Sequence, residues 1–206
     1  MLKEITKWLS EKPILYNFLR RIIEFNFSSI KKTIIKEFSL NNLISNNKSK
    51  KILDMPCGTG EFCVLFDPSS YIGIDISQKY INYAQKTYQH TFYCRDACQN
   101  GFEGSYFDYV LILGLFHHLD MASIISVLKE TKRVLKKYGE ILLIEDAPIR
   151  SKWNIIGKFL QVYDVGDNIR SAEEYTEVLR KYFNIDKYYP IRNGFWNYSV
   201  FVLSHK

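Results

Sequence analysis

Three carboxylic acids stand beside one glycine-bearing turn: Asp54 and Asp75 flank Gly58 and Gly60, and Asp96 follows further on. In Ile52-Leu53-Asp54-Met55-Pro56-Cys57-Gly58-Thr59-Gly60-Glu61-Phe62 an apolar run enters a tight turn that is predicted to open a helix near Gly60. Glycines there let backbone approach a ligand closely, and a helix N-terminus offers free N–H groups. A Gly-x-Gly after a strand also fits a plain strand-to-helix turn, so its company decides. Asp75 ends the next apolar run, Tyr71-Ile72-Gly73-Ile74-Asp75, 15 residues after Gly60. An acid at that point is placed to accept both hydroxyls of a ribose. Asp96 sits just after a third run, and three acids at successive strand ends predict a nucleoside site at one sheet edge.

The elements that must position these residues alternate. Strands are predicted at Lys51–Met55, Tyr71–Asp75, Thr91–Arg95, Tyr109–Leu113 and Glu140–Ile144. Between them lie the helix near Gly60, one capped by Ser77, and one from about Asp120 to Lys137, with Lys136 and Lys137 in its last turn and Gly139 beyond. The runs at 110–113 and 141–144 are continuously apolar, as strands covered on both faces are. That pattern means a mostly parallel, doubly wound α/β sheet. Near the end, Ser171-x-x-Glu174 is a capping box opening a helix to about Tyr182. Asn184–Ile191 and Trp196–Ser204 then form a hairpin joined by Arg192-Asn193-Gly194.

Ahead of this body, apolar residues at helical spacing from Ile14 to Phe38 drift near Asn26–Ser28, which predicts two helical pieces. A polar, Asn-rich connector runs from Asn41 to Lys51. The division expected is a helical cap over 1–50 and a ligand-binding domain over 51–206. Residues 1–51 hold eleven Lys or Arg against four Glu, while the remaining 155 hold seventeen against eighteen acids. The net charge of +6 thus belongs to the N-terminal segment, and nucleic acid is not expected as a partner. A basic segment leaves room for peripheral membrane contact, or is simply a solvated helix face. No apolar run has spanning length and the start does not resemble a secretory signal, so a cytoplasmic location is expected. Cys57, Cys63, Cys94 and Cys98 include no Cys-x-x-Cys pair, which predicts free buried thiols and no metal site.

From about Lys51 to Pro148 the sequence resembles the class I S-adenosylmethionine-dependent methyltransferases, and more loosely to the C-terminus. Asp54-x-x-x-Gly58-x-Gly60 is similar to the family's first motif, although Pro56 stands where a glycine is commonest. Phe107-Asp108-Tyr109-Val110 through Phe116-His117-His118-Leu119, and Arg133 through Glu140, resemble the fourth-strand motif and the turn into the fifth strand. The resemblance implies a seven-stranded Rossmann-like sheet with its last strand antiparallel. It implies S-adenosylmethionine as cofactor and S-adenosylhomocysteine as product. Asp54, Pro56, Cys57, Gly58, Gly60, Asp75, Ile76, Asp96, Ala97, Leu113 and Gly114 would hold it, with Asp75 at the ribose and Asp96 and Ala97 beside the adenine. A dehydrogenase reading fares worse, since Cys63 occupies the third glycine's place counted from Gly58.

The acceptor side has fewer signals. Leu113-Gly114-Leu115-Phe116 replaces the Asn/Asp-Pro-Pro-aromatic motif of base-amino methylating members, and it offers no acidic metal ligand. Pro56-Cys57 is similar to the nucleophile pair of cytosine-C5 enzymes but lies in the cofactor turn. A small-molecule acceptor is therefore expected, methylated at oxygen. The alternatives are an RNA or membrane-lipid substrate, or a cofactor-binding protein without methyl transfer. His118 stands where many small-molecule members carry a His, so His118, with His117 second, is the predicted proton acceptor. Either ring could instead bond backbone and shape the pocket. Tyr16 in the N-terminal helices, and Trp153, Tyr163 and Arg170 after Pro148, are the candidates to contact the acceptor.

Overall fold

The computed structural model describes residues 12–38, 50–162 and 168–206, apart from the side chains at positions 13 and 16. Its strands are β1 (Ile52–Asp54), β2 (Tyr71–Asp75), β3 (Thr91–Cys94), β4 (Phe107–Leu113), β5 (Leu135–Ala147), β6 (Phe183–Asn193) and β7 (Trp196–His205). They form a seven-stranded sheet in the order β3-β2-β1-β4-β5-β7-β6. β1 to β5 are mutually parallel, and β7 lies antiparallel between β5 and β6. This is the expected doubly wound sheet with its last strand reversed. Its direction of winding changes between β1 and β4, the place where open α/β sheets bind ligands.

Helices cover both faces, which explains the unbroken apolar runs. Successive residues of β5 alternate between two cores: Leu142 and Ile144 on one side, Ile141 and Leu143 on the other. The second side is closed by α4 (Met121–Val134) and α6 (Ala172–Leu179). α4 starts where Asp120 accepts from Ser123 N at 2.8 Å, and α6 starts at the full Ser171–Glu174 capping box. The first side holds α3 (Gln78–Thr87), capped by Ser77 as expected.

The N-terminal segment completes that first side. α1 (Pro13–Ile23) and α2 (Ser28–Glu37) are separated by Phe25, Asn26 and Phe27, all at positive φ, which is the predicted break. Ile30, Ile34 and Phe38 are buried in the same core as Ile52, Leu111, Leu142 and Val200. The helix expected near Gly60 does not form; only a single 3-10 turn, Cys63–Leu65, is present. Pro68 lies close behind, which biases Asp67 away from the helical region and leaves too little chain for a helix. The helix expected to reach Lys137 likewise ends at Val134. Leu135 is already extended and pairs with Phe107, and Lys136 Nζ reaches Asp108 Oδ2 at 2.8 Å across a bulge.

The hairpin pairs Asn193 with Trp196, so Gly194 and Phe195 form the turn and Arg192 and Asn193 belong to β6. Asn193 Nδ2 donates to Glu24 O at 2.7 Å and Ser29 N donates to Asn193 Oδ1 at 2.9 Å, which holds the break between α1 and α2. Gly194, at φ +60, lies so close to Ile23 that a Cβ would overlap the Ile23 carbonyl oxygen. Residues 39–49, which include the connector up to position 49, lie outside the described residues.

Ile34→Ala should lower stability by about 2–5 kcal/mol, the range for emptying a buried aliphatic site. Urea denaturation measures it; a loss below about 1 kcal/mol would mean that α2 is dispensable to the core.

Candidate active site

The parallel strands bring Asp96, Asp75, Asp54 and Leu113 to one edge in that order, following β3-β2-β1-β4. The loop after β1 is tied down by backbone and by one carboxyl. Met55 N donates to Leu111 O at 2.9 Å, Cys57 N to Ile74 O at 2.8 Å, and Gly58 N to Asp75 Oδ2 at 3.0 Å. Asp75 Oδ1 accepts from Ser77 N at 2.8 Å. Each oxygen therefore has one backbone donor and lone-pair capacity left over. Burial pushes the Asp75 carboxyl above its ordinary value, partly offset by the donors at Ser77 and Gly58.

Asp54 is buried at the end of β1 and accepts from the Tyr71 hydroxyl at 2.6 Å. Burial raises its carboxyl to about 7; the Tyr71 bond opposes this and the nearby Asp75 adds to it. Asp96 is exposed, and its Oδ1 accepts from Cys98 N at 2.8 Å. Ala97 is half-buried beside it, and Ile76 is 74% exposed at the same edge. Cys57 and Cys63 are buried, and burial pushes both thiols up, away from nucleophilic use. The expectation of buried thiols does not extend to Cys94, which is exposed, or Cys98, which is half-buried.

A residue that sequence reasoning missed organises the adjoining loop. Glu145, fully buried near the end of β5, accepts from Leu115 N at 2.8 Å and from Phe116 N at 2.7 Å through Oε1. Its Oε2 lies 3.2 Å from His117 Nδ1. Glu145 stands in the Ile-Leu-Leu-Ile-Glu-Asp run, and an acid closing an apolar strand was the signal that could have marked it. His117 is thus buried against a carboxyl, whereas His118 is exposed with its ring 4.0 Å from that of His117. Gly114, at φ +63, turns the chain here and its N donates to Ile144 O at 2.9 Å.

Of the acceptor candidates, Arg170 and Trp153 are among the described side chains. Arg170 gives Nη1 to Phe116 O and Nη2 to Leu119 O, each at 2.8 Å, so it clasps the turn that carries both histidines. Trp153 is 94% exposed ahead of α5 (Ile155–Val162). Tyr163, and the side chain of Tyr16, lie outside the described residues. Open depressions lined by Lys132, Leu135, Lys137 and Lys206, and by Arg180, Asn184 and Asp186, lie away from the acids, the first at the opposite end of β5.

Residues 52–139 match a family described as a methyltransferase domain. The match runs from β1 into the first part of β5 and covers less than half of the chain. It is 28% identical over 153 residues to the demethylmenaquinone methyltransferase of Thermotoga maritima, a match covering 72% of this chain and 63% of that relative. The fold matches that of a methyltransferase from Aquifex aeolicus at TM-score 0.66 and 17% identity, covering 94% and 97% of the two chains. It also matches magnesium protoporphyrin IX methyltransferase from Synechocystis at TM-score 0.65 and 18% identity, covering 92% and 88%. S-adenosylmethionine is the cofactor that the class I resemblance implies, and two features of this chain fit it. A Cβ on Gly58 would meet no atom within 4 Å, so that face of the loop is open. Thr59 Oγ1 donates to Asn17 Oδ1 at 2.8 Å, and the buried Asn17 Nδ2 above the same loop has no partner among the described residues, a donor suited to a carboxylate.

The buried carboxyls can be tested through stability. Asp54 has a raised folded-state value, so its contribution to stability is complete below the unfolded value and is lost as pH rises through about 7. Asp54→Asn should flatten the fall in urea midpoint between pH 5 and pH 8, each tenfold difference in proton affinity between the folded and unfolded carboxyl being worth about 1.4 kcal/mol. An unchanged profile would place the raised group elsewhere. Glu145→Ala, which strips the acceptor from two backbone N–H groups, should cost about 1.5–3 kcal/mol in the same assay, and Glu145→Gln clearly less.

Proposed function

We propose that this protein transfers a methyl group from S-adenosylmethionine to an oxygen of a small molecule. The observation that carries the reading is the glycine loop bonded to Asp75 at the switch point, with an exposed His118 on the neighbouring loop. The cofactor supplies an electrophilic methyl on a sulfonium, a leaving group that needs no protonation. The chain's task is to hold the cofactor and acceptor in line and exclude water.

Asp75 accepts the ribose hydroxyls through its spare lone pairs, and Gly58 and Gly60 keep side chains out of the way. Pro56 and Cys57 shape the same loop, and Asp54 lies beneath it. Ile76 covers one face of the adenine, with Asp96 and Ala97 at its edge. Leu113 and Gly114 bound the side where the acceptor enters. His118 takes the proton of the acceptor hydroxyl as its oxygen forms the new bond, which requires the neutral ring. His117, fixed to Glu145, holds the His118 turn, and Arg170 supports it through Phe116 and Leu119. Tyr16, Trp153 and Tyr163 would meet the acceptor. The similarity to enzymes named for a quinone and a porphyrin substrate supports a small-molecule acceptor.

Labelled cofactor incubated with the protein and a cell extract tests the reading: a labelled small molecule is expected, and cofactor binding without product would assign a non-catalytic role. His118→Ala should lower turnover roughly 10²–10⁴-fold with S-adenosylhomocysteine affinity unchanged, and the wild-type rate should fall as pH drops through the imidazole range. A variant keeping more than about a tenth of the rate would remove His118 as the base.

A further inference from the structure

Helices α1 and α5 pack inward through Ile23, Leu160 and several polar groups, and turn their other apolar side chains away from the protein. In α1, Asn17 meets Thr59 and Arg21 meets Glu61, while Ile14, Phe18 and Ile22, four residues apart on one face, are each more than half exposed. In α5, Gly157 packs against the Phe195 carbonyl. Gln161 bonds Ala147 O at 2.9 Å and Ile149 N at 3.1 Å. The outward residues Ile155, Ile156, Phe159 and Val162 are each more than half exposed.

The two helices meet at the hairpin tip. Asn193 holds Glu24 at the end of α1, Asn154 Nδ2 donates to Phe195 O at 2.7 Å at the start of α5, and the Phe25 and Phe195 rings lie 5.9 Å apart. Asn197, just after that tip, pairs with Ala147 at the end of β5, so the tip stands at the same sheet edge as the acids and His118. The outward faces thus border the acceptor side of the site.

Charge distinguishes the occupants. Residues 148–162 carry Arg150, Lys152 and Lys158 and no acid. Arg150 approaches the exposed Glu173 at 3.9 Å. On α1, Arg20 pairs with the buried Glu24 and Arg21 with Glu61, so that helix adds apolar surface rather than available charge. Arg192 adds a further exposed cation beside α5. Among the described residues, the apolar side chains of α5 are therefore rimmed by the exposed cations Arg150, Lys152, Lys158 and Arg192. Such a face partitions into the boundary of an anionic bilayer, where apolar burial and headgroup attraction add. A second copy of the chain would set cation against cation.

We propose that the α1–α5 face docks on an anionic lipid bilayer and that the acceptor is a lipophilic molecule taken from it. The docking stands on its own observations; the acceptor class rests on the methyl-transfer reading. The full chain is sedimented with vesicles of phosphatidylcholine alone and of phosphatidylcholine mixed with phosphatidylglycerol. Binding is expected to favour the mixed vesicles roughly tenfold or more and to weaken at high salt. Ile22→Ser combined with Ile155→Ser should abolish it, and Lys152→Glu combined with Lys158→Glu should remove the preference for anionic lipid. S-adenosylhomocysteine affinity, measured on the same samples, should stay unchanged in both variants.

No vesicle binding by a wild type that binds S-adenosylhomocysteine overturns the docking and leaves the methyl-transfer reading standing. Vesicle binding by a protein that takes up no cofactor does the reverse. Light scattering that shows a dimer dissociated by the Ile22–Ile155 variant would assign the face to self-association and overturn the proposal.

Discussion

The hydrogen bond from Gly58 N to Asp75 Oδ2 is the contact on which the site depends. It ties the loop after β1 to the end of β2 and fixes the direction of the one carboxyl at this edge that holds two loops at once. Burying that carboxyl is costly, and the two backbone N–H groups offset the cost. The same device recurs further along the sheet. Glu145 at the end of β5 holds the loop after β4 by two backbone N–H groups and leaves its other oxygen to His117. The loops at this edge are thus positioned by carboxyl groups of adjoining strands rather than by their own sequences. Gathering acids in this way has an electrostatic consequence at Asp54, which burial and Asp75 together hold near neutrality.

The first layer of the fold is assembled from distant parts of the chain. Between Gly60 and β2 there is only a 3-10 turn, so α2 supplies much of the apolar cover on that side of the sheet. The break before α2 persists because the β6–β7 hairpin grips it: Asn193 satisfies backbone groups on both sides and Gly194 admits Ile23 at a distance no side chain would allow. Three consecutive non-glycine residues at positive φ need such external support. α1 is carried by this junction to the loop after β1, where Asn17 meets Thr59.

The basic excess of the N-terminal segment divides into two kinds of charge. Arg21 and Lys31 converge on Glu61, and Arg20 pairs with the buried Glu24. These cations fasten the helices to the loop after β1 and to the hairpin, and they are not available to a partner in the way a solvated charge is. No helix among the described residues is long and apolar enough to cross a membrane, so apolar exposure on α1 and α5 is a matter of surface and not of spanning.

The amino-acid pattern by itself determined the alternation of strands and helices, the parallel sheet, the reversed last strand, and the placing of Asp54, Asp75 and Asp96 at neighbouring strand ends. These features are local: apolar runs, caps such as Ser77 and Ser171, and a Gly-x-Gly turn act over a few residues. The absence of a helix near Gly60 and the early end of α4 are not legible in that pattern, because Pro68 and the pairing of Leu135 with Phe107 override local helical spacing. Only the tertiary structure decided that Arg170 clasps backbone, that His117 is buried while His118 is exposed, and that Glu145 organises the turn leading into them. Those assignments join residues about thirty to fifty positions apart across two strands, and periodicity along one chain carries no information about such contacts.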